Sequence, residues 1–226
     1  SYHYINSKRK AGFHWLADAY KRKGWKVVFV TAPISLLSWL KNDYRFEYHI
    51  FKQANKLIQQ EDNFYSYILF SLVHPPRSRG TVIDKLTALL CWVYQKINLG
   101  ELAECVKKAD LIIFESTAAL LLYRKFKMIN SNAKYVYRVS DDIRFLELHP
   151  IVIKEEESIL KSFDLVSASS MYIKNQLSKY SNNVMLHFHG INKHIYDNCT
   201  NNPYNTDTCN AIFVGNSHLD ISFLEI

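Results

Sequence analysis

The sequence predicts an α/β fold, a parallel sheet with helices on both faces. Three observations predict it. Strand-like apolar runs alternate with helix-length segments along most of the 226 residues, the pattern of βαβ units. The runs "WKVVFVTA" (25–32), "DLIIFES" (110–116) and "KYVYRVS" (134–140) are largely apolar and rich in β-branched and aromatic residues, as strands covered on both faces are. Hydrophobic residues make up 48% and aromatics 14%, ample for a buried core. With 22% charged residues, general disorder is not expected.

Taken in order, residues 11–23 place Phe13, Leu16, Ala17 and Tyr20 at helical spacing, and Gly24 suits the C-terminal cap. Residues 25–32 follow as a strand. "YSYILFSLV" (65–73) reads as another, closed by Pro75 and Pro76. Residues 81–97, "TVIDKLTALLCWVYQKI", are helical in length and strongly apolar. Residues 110–116 form a strand, about 117–127 a helix, and 134–140 a strand. A helix is expected over 151–162, a short strand over 164–169, a helix over 170–179 capped by Ser169 or Ser170, and a strand over 183–188.

Both edges of the chain look incomplete. It opens on a polar segment and a helix where a βα fold normally opens on a strand, so the first strand is expected to be missing. "NNPYNTDTCN" (201–210) has linker composition, and "AIFVGNSHLD" (211–220) looks like a new strand with a glycine turn. The expected organisation is a domain over 1–200, a linker over 201–210 and the first strand of a truncated second domain over 211–226.

The net charge of +7 is uneven. Seven cations, Lys8, Arg9, Lys10, Lys21, Arg22, Lys23 and Lys26, face Asp18 alone in the first 26 residues, which accounts for six of the seven net charges. Such an edge suits phospholipid headgroups, a diphosphate or nucleic acid; it equally suits a solvated helix end. The helix over 81–97 carries Trp92 and is preceded by Arg77 and Arg79. It could lie on a membrane surface or pack on the sheet. No apolar run reaches the roughly 18 residues that span a bilayer, and no signal-peptide pattern is visible. Cys91, Cys105, Cys199 and Cys209 form no CxxC pair, and free thiols in a reducing cytosol are expected.

No GxGxxG, GxxxxGK[ST], GxSxG or HExxH motif occurs, which argues against a dinucleotide-dependent reductase or epimerase and against a P-loop triphosphatase. No nucleic-acid recognition module is readable. In doubly wound sheets the ligand crevice lies beyond the carboxyl ends of the strands. There stand Glu115, then Ser140 with Asp141 and Asp142, and then His189 and Gly190. A carboxylate at such a place can take a proton from an incoming hydroxyl, or can cap a turn; on the residues alone Asp141 and Asp142 are equal candidates. Glu115 could orient a ligand hydroxyl or cap the next helix. His189 and Gly190 could face an interdomain cleft or simply turn the chain. Gly215, Asn216 and Ser217 could offer backbone N–H groups to a phosphate.

The segments "SKRKAGFHWLADAYKRKGWKVVFVTA", "ADLIIFEST", "AKYVYRVSDD", "DLVSASSMYIKNQL", "HFHGINKHIYD" and "AIFVGNSHLD" resemble, in order and approximate spacing, a GT-B glycosyltransferase. More narrowly they resemble the GumK-type β-glucuronosyltransferases of bacterial exopolysaccharide synthesis (glycosyltransferase family 70). The combination "FES…YVYRVSD" is the narrower signal. The resemblance implies two Rossmann-like domains, the N-terminal one for acceptor and the C-terminal one for donor. It also implies an inverting, metal-independent transfer, with no cofactor beyond a UDP-sugar co-substrate. The general base of the family falls on Asp141, with Asp142 as alternate.

The implied partners are the UDP-sugar, carrying glucuronic acid, a polyprenyl-diphosphate-linked oligosaccharide acceptor and the cytoplasmic membrane surface, with no nucleic acid. The implied location is peripheral, at the inner face of that membrane, with Lys8, Arg9, Lys10, Arg77, Arg79 and Trp92 as contacts. Two positions depart from the family pattern: Ser217 replaces an apolar residue, and Gln176 falls where an acid is expected. A GT-B hexosyltransferase with another donor and a non-catalytic membrane- or nucleic-acid-binding α/β domain are the rival readings.

Overall fold

The structure, a computed structural model, describes residues 12–36, residues 52–190 and residue 197. Lys8, Arg9, Lys10, Cys199, Cys209, the expected linker over 201–210 and the expected strand over 211–226 with Gly215, Asn216 and Ser217 lie outside the described residues. Those up to Gly190 belong to one compact unit.

Helix α1, Gly12–Arg22, ends in Lys21 and Arg22, which suit the negative end of the helix dipole. Gly24 then adopts φ 83°, a left-handed conformation that favours glycine, and the Trp25 N–H donates back to the Tyr20 carbonyl. That reversal feeds strand β1, Val27–Ser35. Strand β2, Leu57–Glu61, and strand β3, Phe64–Ser71, form a hairpin through Asn63, at φ 58°. β1 pairs parallel to β3, and β2 pairs antiparallel on the other side of β3. The sequence reading missed β2 because "LIQQE" is half polar, as befits an edge strand exposed on one side.

Helix α2, Thr81–Gln95, is followed by a short helix α3, Glu101–Lys107, which the sequence reading did not assign. Strand β4, Leu111–Glu115, leads into the segment expected to be one helix. That segment is two pieces: a 3-10 turn over Ala118–Leu122, capped by the Thr117 hydroxyl, and helix α4, Tyr123–Ile129. The tighter turn lets Leu120, Leu121 and Leu122 all become buried, since 3-10 geometry spreads successive side chains differently from an α-helix.

Strand β5 is Lys134–Val139, helix α5 Pro150–Ile159, strand β6 Leu165–Ala168, helix α6 Met171–Leu177 and strand β7 Val184–Leu186. The strands β4, β5, β6 and β7 form one sheet in that order, parallel throughout. Alternation along β5 buries Tyr135, Tyr137 and Val139, because successive side chains point to opposite faces. These rings join Phe114, Tyr123, Phe126 and Phe163 in mostly edge-to-face contacts, the favoured aromatic arrangement. His149 caps α5 through Nδ1 and bonds the Asp84 carbonyl through Nε2 at 2.9 Å, tying α2 to α5. The predicted parallel α/β fold is present, divided among the described residues into a four-stranded and a three-stranded sheet.

Candidate active site

Because β4 to β7 are parallel, their carboxyl ends line one rim of the sheet, and the segments leaving them meet there. The chain leaving β5 is gripped from both sides. The Ser169 hydroxyl, just past β6, donates to the Ser140 carbonyl at 2.8 Å. The Asp141 N–H donates to the Ser116 hydroxyl, just past β4, at 3.3 Å. Ser116 and Ser169 are both buried, at 3% and 6% exposure. Ser170 caps α6 through the Ile173 N–H, which leaves Ser169 for this grip.

The two acids then diverge. Asp142 caps the 3-10 turn Ile143–Phe145 by accepting the Arg144 N–H at 3.0 Å. Its two oxygens also take Arg144 Nε and Nη2, each at 2.7 Å, a fork-to-fork geometry. The Asp142 side chain is 6% exposed. Asp141 points outward and is exposed; among the described residues no hydrogen bond or ion pair engages its carboxylate. The rings of Phe145 and Tyr172 lie 6.4 Å apart and are 74% and 52% exposed, one just beyond each of the segments that meet here.

Behind the Asp142–Arg144 pair, the Tyr137 hydroxyl donates to Glu156 Oε1 at 2.5 Å. Burial pushes the Glu156 carboxyl up to about 7, while the Tyr137 hydrogen bond and the Arg144 charge pull it back down. Burial and the Glu156 charge hold the Tyr137 hydroxyl well above its ordinary value.

The other predicted residues sit apart. Glu115 is the last residue of β4, one strand over from Asp141. Two strand spacings, about 10 Å, separate the ends of β5 and β7, so His189 is no direct partner of Asp141. Both His189 and Gly190 are exposed, and His189 lies beside the start of α1, where a Cβ on Gly12 would stand 3.8 Å from its Nδ1.

The segment leading to His189 is held by Arg138 of β5. Its guanidinium donates to the Ser167 hydroxyl at 2.9 Å and to the carbonyls of His187 and Phe188 at 2.5 and 3.4 Å. Arg138, Arg144 and Ser116 were not assigned roles from sequence, and Ser169 was expected only as an alternative cap of the following helix, a place Ser170 takes. The serines follow strand ends, a place the strand pattern marks, but a lone serine there carries no further signal.

Residues 1–169 match the family described as glucuronosyltransferase GumK, N-terminal domain. The chain belongs to this family. A UDP-glucuronate:glycolipid 2-beta-glucuronosyltransferase of Xanthomonas campestris pv. campestris is 23% identical over 226 residues, covering 100% of this chain and 55% of that protein. The chain thus spans about half the length of this curated relative. The stretch matching the GumK N-terminal domain family holds Glu115, Ser140, Asp141 and both gripping serines; His189 and Gly190 lie beyond it.

On a separate surface, α2 turns its apolar side outward. Val82, Leu86, Leu89 and Val93 recur at i, i+4, i+7 and i+11, one helix face, with exposures from 37% to 76%. Trp92, 52% exposed, flanks the stripe with the Lys96 ammonium 3.8 Å from its ring centre. Arg77 and Arg79 are exposed before the helix. Among the described residues no helix is long and apolar enough to cross a membrane, and no group of three or more His, Cys, Asp or Glu residues could hold a metal ion.

Proposed function

We propose that this chain is the acceptor-binding part of an inverting glycosyltransferase. It moves glucuronic acid from UDP-glucuronate to a hydroxyl of a polyprenyl-diphosphate-linked oligosaccharide in exopolysaccharide or capsule synthesis. One observation carries the reading: at the rim of a parallel sheet, Asp141 is held by its backbone with its carboxylate exposed, while Asp142 is consumed by Arg144. A carboxylate so placed can act as general base.

In the reaction, the Asp141 carboxylate takes the proton of the acceptor hydroxyl. That oxygen forms a bond to the anomeric carbon as the bond from this carbon to the diphosphate oxygen breaks. The configuration inverts and UDP leaves, its charge met without a metal by groups of the donor-binding domain, including backbone N–H groups of Gly215, Asn216 and Ser217. The exposed rings of Phe145 and Tyr172 offer flat apolar faces to sugar rings of the acceptor. Glu115, at the end of the neighbouring strand, and His189 and Gly190, beyond β7, extend the acceptor contacts away from Asp141. The apolar stripe of α2, with Arg77, Arg79 and the cations at Lys8, Arg9 and Lys10, rests the protein on the inner face of the cytoplasmic membrane, where a lipid-linked acceptor resides.

The test is Asp141→Asn in the full-length protein, assayed by transfer of labelled glucuronic acid from UDP-glucuronate to a lipid-linked acceptor. Loss of a general base lowers kcat by roughly 10²- to 10⁴-fold with the fold intact by circular dichroism. Near-normal turnover in this variant would refute the assignment.

A further inference from the structure

The guanidinium of Arg144 is only partly used by the protein. An arginine carries five N–H donors in a planar, rigid fork. Asp142 takes two of them, on Nε and Nη2. Among the described residues the other three, two on Nη1 and one on Nη2, meet no acceptor. Asp142 covers the edge it binds and is 6% exposed, while the Arg144 side chain is 30% exposed. The open edge, formed by Nη1 and Nη2, therefore reaches the surface with its N–H groups parallel and fixed in direction.

Three features place that edge beside the proposed general base. Arg144 follows Asp141 closely in sequence, in the 3-10 turn that Asp142 caps. Its neighbour Phe145 presents an exposed ring. The Tyr172 hydroxyl lies within electrostatic range of the guanidinium, and the Tyr172 ring is the tilted partner of Phe145.

We propose that Arg144 binds the acceptor and selects a neutral sugar, donating from its open edge to two neighbouring hydroxyl oxygens of the ring that presents its reacting hydroxyl to Asp141. This rests on the reading of the rim as the acceptor site. Parallel N–H groups of a fork match two oxygens side by side, as in a carboxylate, a phosphate or an adjacent pair of sugar hydroxyls. Charge decides among these. Asp142 already neutralises the guanidinium, and its hydrogen bonds hold Arg144 above its ordinary pKa. The exposed Asp141 carboxylate then adds an uncompensated negative charge at the same rim. An anionic group of the acceptor would be repelled there, whereas hydroxyl oxygens accept the free donors and leave Asp141 unopposed.

Steady-state kinetics of the full-length protein test this, with UDP-glucuronate as donor. The acceptor is lipid-linked oligosaccharide extracted from membranes of the source organism. Arg144→Gln and Asp142→Asn both break the ion pair, but only the first removes the free donors. Losing two charge-assisted hydrogen bonds should raise the acceptor KM roughly ten- to hundredfold in Arg144→Gln, against less than about threefold in Asp142→Asn. The donor KM should stay within about twofold of wild type in both, as it does when only acceptor binding is lost. Arg144→Lys keeps the charge without the fork and should lie nearer to the glutamine variant than to wild type. Circular dichroism reports that each variant is folded. Equal acceptor KM values in Arg144→Gln and Asp142→Asn overturn the proposal, because the arginine would then act only through Asp142. Full recovery in Arg144→Lys overturns it too, because charge alone would then suffice. Near-normal turnover in Asp141→Asn strikes the general base and leaves these KM comparisons standing. Wild-type protein that transfers nothing to this acceptor refutes the reading of the site, and the proposal falls with it.

Discussion

Arg144 closes on Asp142 through both a bidentate ion pair and its own backbone N–H. Two residues apart in sequence, they make a small locked unit directly after Asp141. The unit explains why adjacent identical side chains have different prospects. One carboxylate has its lone pairs spent on a cap and a guanidinium, and the other faces solvent.

Asp142→Asn should therefore act on stability more than on turnover. The amide oxygen still caps the turn, but the ion pair is lost, which costs about 1–2 kcal/mol for a mostly buried carboxylate paired with a partly exposed arginine. Urea denaturation reads that loss, and kcat should stay within about fivefold of wild type. A variant with unchanged stability and no turnover would transfer the base role to Asp142.

Ser116→Ala and Ser169→Ala each release one side of the grip on the 140–141 segment. Each leaves one backbone group without its hydroxyl partner, at about 1 kcal/mol. If Asp141 is the general base, as proposed, its narrow working geometry means that kcat of the full-length protein should fall roughly tenfold for each variant with little change in the KM for the proposed donor, UDP-glucuronate. Steady-state kinetics that show a raised donor KM at constant kcat would contradict a positioning role.

Glu156 makes stability depend on pH in a defined direction. Its carboxyl stands at about 7 in the folded protein against an ordinary 4.5, so between these values the folded state holds the extra proton. Stability contributed by the protonated form is full below about pH 4.5 and is lost as pH rises through about 7. Glu156→Gln keeps an acceptor for the Tyr137 hydroxyl without the charge. Relative to wild type it should gain on the order of 2 kcal/mol at pH 8 and little at pH 5. Chemical denaturation at the two pH values decides, and an equal effect at both would contradict the assignment.

If the outward stripe of α2 meets lipid, as proposed, changing it gives a binding defect without a folding defect. Leu86→Ser with Leu89→Ser removes two side chains that are 76% and 63% exposed and so contribute little to the core. Each leucine that enters a lipid interface contributes about 1 kcal/mol of partial burial, so the pair should weaken vesicle binding by roughly tenfold or more. Sedimentation with anionic vesicles measures this, and thermal unfolding should be unchanged. Raising salt toward 1 M should weaken the binding further by screening Arg77 and Arg79.

Much of this molecule is legible without coordinates. The alternating apolar runs locate β1, β3, β4, β5, β6 and β7, because a covered strand must be apolar on both faces and that demand is written locally. What stayed hidden was local sequence without a local signature. β2 is half polar because it is an edge, and α3 is too short to establish a period.

The sequence by itself determined the class of fold, the strand ends at which chemistry is to be sought, and a family resemblance pointing to Asp141. Only the tertiary structure decided how the two neighbouring acids differ. Ser116 and Ser169 are 53 positions apart in number and reach the same peptide segment because β4 and β6 flank β5. Arg144 swings back on Asp142 because the 3-10 turn after β5 directs it there. The apolar residues of α2 could equally have been core; packing left them facing outward. Hydrophobic pattern is a property of short segments, whereas partnership and exposure depend on which segments the sheet order brings together.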